Sequence, residues 1–189
     1  MSNIKTVLRN YQKAAKTAQE KQRQARELYQ PDAAERECTR IAAWLDGERA
    51  KAQAAIDEDR KGRMQALDDW KRLDGSKLTD DVKLLDNNLV TVEQFSGMVE
   101  KYSENATMCA ALARYAERRN ADAMKQKGTV PEALYPVGIV PTAEAKAQAI
   151  SRTAAGAYSV IGLIDNGFTG FGGGADSPMV DAAIENFPA

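Results

Sequence analysis

The chain has 189 residues, enough for one domain or for a small domain with extended arms, and 26 basic against 27 acidic residues leave a net charge of −1. Aromatic residues make up only 6% of the chain and alanine supplies much of its 43% apolar content, so we expect a thin core that a partner completes. Histidine is absent, which removes the usual general base near neutral pH and the commonest zinc ligand.

The charges are distributed as a gradient along the chain. Residues 1–26 carry seven bases and one acid, whereas residues 129–189 carry two bases and six acids. A basic head and an acidic tail favour head-to-tail contact or binding of a polyanion. The alternative interpretation is an ordinary solvated helix face.

The first predicted helix covers residues 4–29, which follow the 3.5-residue period of a coiled-coil seam. The seam positions alternate spacings of four and three and are Ile4, Leu8, Tyr11, Ala15, Ala18, Gln22, Ala25 and Tyr29. Alanine and glutamine in the middle bury little surface, so self-association through this seam would be weak and another partner is expected. We predict that Ile4, Leu8 and Tyr11 are interaction residues.

Pro31 ends this helix and opens a second one, predicted over residues 32–73. Its polar stretch at residues 57–63 predicts a solvated segment or a kink at Gly62. Two long helices joined at Pro31 predict an elongated stalk or a helical hairpin over residues 1–75.

Residues 76–128 are predicted to form a module of three helices that holds the densest large apolar side chains of the chain. Thr91 and Gln94 form a capping box, in which each side chain binds the backbone N–H of the other residue. The other predicted helix starts are Thr79 and either Ser103 or Asn105, and a turn is predicted at Asn87-Asn88. We expect the best-packed core in this module.

Residues 129–141 contain three prolines and predict an extended linker that lies against a neighbour. An alanine-rich helix capped by Thr142 follows over residues 142–165.

Residues 166–189 predict a glycine-rich arm with a short terminal helix. The apolar anchors of this arm are Phe168, Phe171, Ile184 and Phe187. Because glycine raises the entropy cost of packing them within the chain, we expect the arm to dock onto a neighbouring subunit, so that its deletion leaves the stability of the chain nearly unchanged.

Two segments are similar to ligand-binding loops but lack residues that the chemistry needs. Residues 57–68 echo a calcium-binding loop, yet Lys61 stands at the fifth position, where an oxygen ligand belongs. The segment from Gly167 to Gly174 could cradle a phosphate, but no lysine or arginine follows it and Asp165 and Asp176 flank it. We therefore predict no metal site and no cofactor site.

The chain also lacks a pattern of catalytic residues. Adjacent acids such as Asp68-Asp69 and Asp80-Asp81 diverge by about 100° on a helix and do not converge on a substrate. Without histidine, no nucleophile has its usual base. We predict a protein that is not an enzyme and has no catalytic residue and no small-molecule substrate.

Nucleic-acid binding is the alternative function that the residues leave open. The bases that support it form one stripe along the first helix and are Lys5, Arg9, Lys13 and Lys16.

Cys38 and Cys109 have no metal-binding spacing and predict free thiols in a reducing compartment. No apolar run is long enough for a membrane span and the N-terminus lacks the core of a signal peptide, so a soluble protein, cytoplasmic when made, is expected.

Within residues 84–120, the segment LLDNNLVTVEQFSGMVEKYSENATMCAALARYAE resembles small uncharacterised proteins from the head-morphogenesis gene cluster of tailed phages and prophages of Gram-positive bacteria. The similar elements are Leu84-Leu85 before a turn, Thr91 opening a helix with Phe95, and Asn105-Ala106-Thr107-Met108 opening the next helix, which ends in Tyr115-Ala116-Glu117. The charged N-terminal half also looks like a scaffolding or virion-accessory protein.

This resemblance implies a non-enzymatic structural protein of the phage, a head-associated assembly or accessory protein that acts through protein–protein contacts. It implies that the partners are further copies of the chain, other phage structural proteins or both. The implied location is the host cytoplasm during assembly and then the virion. The alternative within this class is a transient scaffolding protein that is absent from the mature particle.

Overall fold

The computed structural model describes residues 3–125, 134–166 and 175–188. These ranges form seven α-helices and two short 3-10 helices and contain no β-strand, which confirms the predicted all-α fold with a long helical N-terminal region. The α-helices are α1 (Ile4–Leu28), α2 (Pro31–Trp70), α3 (Val82–Asp86), α4 (Val92–Lys101), α5 (Ala106–Lys125), α6 (Ala143–Asp165) and α7 (Pro178–Glu185). The 3-10 helices are Gly75–Lys77 and Val137–Ile139.

The chain divides into two compact units. The terminal unit combines residues 1–63 with residues 149–189, and the central unit consists of residues 64–148. Both boundaries lie inside helices, α2 and α6, so neither coincides with a loop.

The first two helices of the terminal unit form a hairpin. The Asn3 side chain caps α1 by accepting a hydrogen bond of 2.9 Å from the backbone N–H of Lys5, and α2 begins at Pro31, whose fixed φ suits a first helical turn. The Cys38 sulfur lies 3.9 Å from the Gln22 carbonyl oxygen, near the turn between the helices. Farther from the turn, the Lys21 ammonium lies 5.5 Å from the centre of the Trp44 ring, so the two helices run antiparallel.

The core of the terminal unit is built largely from small and aliphatic side chains. Its buried members come from four helices and the residues on either side of α7, and are Ile4, Leu8, Tyr11, Ala15, Ala18, Ile41, Leu45, Ala52, Ile56, Ala154, Ala157, Val160, Ile161, Ile164, Ala175, Val180, Ile184 and Phe187. Alanines on α1, α2 and α6 allow the helix backbones to approach closely, so a chain that is poor in large apolar residues still buries a continuous core.

The central unit follows the predicted capping signals closely. The capping box of Thr91 and Gln94 is present, and the Asn105 side chain accepts a hydrogen bond of 3.2 Å from the backbone N–H of Met108. The predicted cap at Thr79 is wrong, because Asp81 occupies the N-cap position of α3. The Thr79 hydroxyl lies 3.0 Å from the Tyr102 hydroxyl instead.

Residues 134–140 pack against the core of their own unit, although a linker lying on a neighbour was predicted for residues 129–141. The Tyr135 ring meets Phe95 and Tyr115 edge to face, with ring centres 5.5 and 5.3 Å apart. The Tyr135 hydroxyl donates a hydrogen bond of 2.7 Å to the Val90 carbonyl. The core that they join consists of Leu85, Val90, Phe95, Val99, Tyr102, Met108, Cys109, Leu112, Tyr115, Ala116 and Val140.

Candidate interaction surfaces

Five of the seven predicted interaction residues belong to the core of the terminal unit. Buried together there are Ile4, Leu8, Tyr11, Ile184 and Phe187. The prediction that they bind a neighbouring subunit is therefore corrected, because the apolar stripe of α1 is covered by helices of the same chain. The remaining two, Phe168 and Phe171, lie outside the described residues.

The helix α7 is the element that covers the N-terminal end of α1. Ser177 caps α7 by accepting a hydrogen bond from the backbone N–H of Met179, and a proline follows at the first helical position. This start directs the apolar side chains at 180, 184 and 187 into the core. The same spacing was visible in the sequence as one amphipathic stretch, but nothing in it identified the helix on which it packs.

Polar contacts of Tyr11 and Gln12 join α1 to the end of α6 and to the residues around the start of α7. The Tyr11 hydroxyl donates a hydrogen bond to Asp165, which also forms an ion pair of 2.9 Å with Arg49. The side-chain amide of Gln12 donates to the Ala175 carbonyl at 2.8 Å and to the Asp181 carboxylate at 2.6 Å. Burial, together with the hydrogen bond to Asp165, raises the pKa of Tyr11 well above its ordinary value, so the phenol is neutral.

The basic head and the acidic tail meet within this chain. The Lys5 ammonium binds both the carboxylate of Glu185, at 3.1 Å, and its carbonyl, at 2.7 Å, and Arg9 donates to the same carboxylate. Hydrogen bonds from Arg9 and then Lys5 lower the pKa of the Glu185 carboxyl. Lys16 pairs with Asp176 at 3.2 Å. The charge gradient of the sequence therefore corresponds to contacts between α1 and the segment around α7.

The segments considered for metal and thiol chemistry take structural roles. Residues 57–68 are part of the continuous helix α2, where Asp59 pairs with Arg63 at 2.7 Å. In the described part of the chain, no three acidic or cysteine side chains converge on a point where a metal could bind. Cys38 and Cys109 are free thiols, and burial raises the pKa of Cys109. The segment Gly167 to Gly174 lies outside the described residues.

An apolar groove in the central unit is the main candidate surface, and we call it the central groove. It has a volume of about 420 Å³ and lies between α5 and the residues that precede and form α3. The wall on the α3 side carries Leu73 and Leu78, whose exposed fractions are 62% and 46%. The α5 wall contributes Ala110 and Ala111, whose small side chains leave the space open.

Charged residues of both signs line the central groove. Arg114 and Arg118 lie on the α5 wall, and Asp86 lies on the α3 wall. Arg118 donates hydrogen bonds of 3.3 Å to the Leu85 carbonyl and 3.1 Å to the Asn88 side chain, both of them neutral acceptors. Among the described residues, none of the three charged groups forms an ion pair. The groove therefore combines exposed apolar surface with charged residues of both signs.

A second exposed surface lies at the turn of the helical hairpin in the terminal unit. Leu28 and Tyr29 have exposed fractions of 76% and 55%, and a neighbouring pocket of about 420 Å³ is lined by Tyr29, Pro31 and Cys38, among others. Sequence reasoning placed Tyr29 in the coiled-coil seam, but the turn at Pro31 directs it away from the core. Neither this pocket nor the central groove was foreseen, because each depends on residues brought together by packing.

Within the described ranges, no helix combines the length and the apolar character that a membrane crossing requires. Comparison of the chain with protein-family models, with curated proteins and with solved structures identified no match. The functional interpretation therefore depends on the surfaces described above and on the resemblance of the segment within residues 84–120.

Proposed function

We propose that this chain is a non-enzymatic structural protein of a tailed phage or prophage, a head-associated protein that assists or completes assembly through protein–protein contacts. The observation that carries the proposal is the central groove, because its lining includes Leu85, Asp86, Thr107, Arg114 and Tyr115 from the segment that resembles head-morphogenesis proteins. The groove thus overlaps the segment that carries the resemblance, while its exposed leucines, Leu73 and Leu78, precede that segment.

The apolar content of the groove gives such a contact a driving force. Complete burial of a leucine side chain is worth about 1.5–3 kcal/mol, and Leu73 and Leu78, which line the groove, remain substantially exposed. Leucines exposed around one groove are a feature of interaction sites on soluble proteins. A protein partner that covers them gains this free energy, whereas a hydrophilic polymer gains none of it.

The charges of α1 favour a protein partner over nucleic acid. Three of the four bases in the predicted stripe, Lys5, Arg9 and Lys16, are paired with carboxylates near α7. A phosphate backbone would have to displace those carboxylates before it gained the same contacts. Nucleic-acid binding stands as the alternative, and a separate measurement of DNA binding against salt concentration tests it.

The test is the protein composition of particles from a host whose phage genome carries this gene. Precursor and finished particles are separated on a density gradient and analysed by mass spectrometry, and we expect the chain in both. Its presence in precursors alone would identify a transient scaffold. Its absence from both would contradict the proposal, and binding to DNA that falls steeply with salt would support the alternative.

A matched pair of variants connects incorporation to the central groove. Leu73→Asp places a charge on the groove wall, whereas Met124→Asp places one at a similarly exposed position, 67% against 62%, on a part of α5 that does not line the groove. We expect the first variant to reduce the amount of chain in the particles at least about tenfold, because a carboxylate in an apolar contact must be desolvated. The second should be incorporated normally.

A further inference from the structure

We propose that α7 exchanges between two copies of this chain, so that the α7 of each copy packs on the α1 of the other. In the closed form described above, the contacts between these helices lie within one chain. In the exchanged dimer, the same contacts are made twice between chains. The partner is therefore a second copy, and the proposal does not depend on the proposed function.

The contacts between α1 and the residues around α7 are specific for this sequence. The side-chain amide of Gln12 donates to the Ala175 carbonyl at 2.8 Å and to the Asp181 carboxylate at 2.6 Å. The Lys5 ammonium binds the Glu185 carboxylate at 3.1 Å and the carbonyl of the same residue at 2.7 Å, so it recognises both the charge and the end of the helix. A second copy carries this whole set of groups in the same order.

Apolar contacts hold α7 on the same surface. The side chains of Val180, Ile184 and Phe187 are buried in the core of the terminal unit. A copy whose α7 has left exposes to water the apolar surface that these side chains cover, which is unfavourable. That surface is therefore expected to take up the α7 of another copy rather than to stay open.

The connection between α6 and the α7 segment is suited to exchange. Residues 167–174 include five glycines in eight residues, and glycine accepts backbone conformations that other residues avoid. The direction in which the chain leaves α6 is thus weakly specified by its sequence. The helix and the surface that it covers keep their contacts in both forms, and only the copy that supplies α7 differs.

The concentration of the chain decides between the two forms, because both make the same contacts. A short connection between two contacting parts gives them an effective concentration on the order of 1 mM. Exchange therefore competes with the closed form once the chain itself approaches about 1 mM, and dilute chains are monomeric. The exchanged form is expected where copies are packed side by side.

The experiment reverses the charges on one side of the contact in each of two variants of the full chain. Lys5→Glu with Arg9→Glu changes α1, and Glu185→Arg changes α7. In either variant alone, the closed form brings like charges together. In a mixed exchanged dimer, the reversed α1 receives the reversed α7 and the natural α1 receives the natural α7, so opposite charges meet in both contacts.

Sedimentation velocity at about 10–300 µM, below the concentration at which the natural chain exchanges, measures the association. We expect each variant alone to be a monomer and the equimolar mixture to form a one-to-one dimer, at least about tenfold tighter than any dimer of the natural chain. Hydrogen exchange should show that α1 is less protected in each variant alone than in the natural chain and regains protection in the mixture. That recovery also shows that both variants are folded.

A mixture of Lys101→Glu and Asp81→Arg is the matched control for simple attraction between oppositely charged variants. This pair also forms an ion pair within one chain, at 2.9 Å, but the helices α3 and α4 that hold it are joined by five residues without a glycine. We expect the control mixture to remain monomeric.

Three results would overturn the proposal. They are a mixture that stays monomeric, a mixture that associates no more tightly than the control mixture, and a dimer in which α1 does not regain protection. The measurement uses purified chains, so the composition of particles decides the proposed function and has no influence on this result.

Discussion

In the terminal unit, helices from the two ends of the chain pack through alanine and aliphatic side chains, whereas in the central unit consecutive short helices pack around aromatic rings. Gln12 reaches Ala175 and Asp181 in the terminal unit. In the central unit, Tyr115 and Tyr135 meet edge to face within a short stretch of chain. The first core depends on distant segments meeting, and the second depends on local turns and caps.

This difference predicts that the two units respond differently to the loss of a peripheral element. A core that is thin in large side chains depends on each helix that contributes to it, since alanine buries little surface by itself. The aromatic side chains of the central core each bury a large area and support several neighbours.

The largest effect is expected from deletion of residues 176–189. The deletion removes Val180, Ile184 and Phe187 from the core, which should cost the terminal unit about 5–9 kcal/mol at about 1.5–3 kcal/mol for each side chain. This expectation replaces the idea of a dispensable arm. Hydrogen exchange should show that α1 loses protection while α5 retains it. Unchanged protection of α1 would mean that α7 contributes little to the core.

A pair of leucine truncations compares the two cores directly. Leu8 in α1 and Leu112 in α5 are both fully buried, so Leu8→Ala and Leu112→Ala should each cost about 2–5 kcal/mol. Each loss should appear as reduced hydrogen-exchange protection in the unit that holds the leucine. Leu28→Ala, at an exposed position, should change stability by less than about 0.5 kcal/mol. A loss shared equally by both units would show that they unfold as one.

The polar network of the terminal unit is tested by Gln12→Ala. This variant leaves the Ala175 carbonyl without its partner in a buried position and should cost about 1–3 kcal/mol. Gln24→Ala is the matched control, because it removes the same side chain from an exposed position of α1 and should change little. Chemical denaturation measures both, and equal midpoints for the two variants would contradict a stabilising role for Gln12.

The smallest effect is expected on the loss of stability of the terminal unit in acid. Because the folded state lowers the pKa of Glu185, its ion pairs stabilise the terminal unit above the ordinary pKa of 4.5 and cease to do so as the pH falls through the lower folded value. In Glu185→Gln, the melting midpoint of that unit should therefore fall less between pH 6 and pH 3 than in the natural chain, with pH values chosen to be about 1.5 units either side of 4.5.

Asp81→Asn makes the same test in the central unit. Hydrogen bonds from Lys101 and then Tyr102 lower the pKa of Asp81 there. The same reduction in acid sensitivity is expected there and not in the terminal unit. If either substitution changed the acid response of both units equally, the pH dependence would arise from net charge rather than from these contacts.

Features that depend on neighbouring residues could be predicted from the sequence. The start of α2 at Pro31, the capping box of Thr91 and Gln94, and the cap at Thr142 each involve residues within one helical turn, and all three are present. The apolar period of α1 was visible in the sequence because it is a property of one helix, but the predicted partner was wrong, since the stripe packs within the chain and its last position, Tyr29, is exposed.

Features that depend on distant residues could not be predicted in the same way. The contact between α1 and α7 joins residues about as far apart as the chain allows, and periodicity carries no information about which helix covers which. The charge gradient was a partial signal, since Lys5 and Arg9 do meet Glu185. The central groove left no pattern at all, because it exists only where Leu73 and Leu78 lie beside α5.

The packing of α7 on α1 has a consequence for synthesis of the chain on the ribosome. The apolar stripe of α1 is made first, but Val180 and Ile184, which cover it, are made more than 150 residues later. The helices of the central unit are made in between, and they can pack before α7 is available to cover the apolar stripe of α1. A nascent chain that has not yet made α7 therefore leaves the part of the α1 stripe that α7 covers accessible to chaperones and proteases.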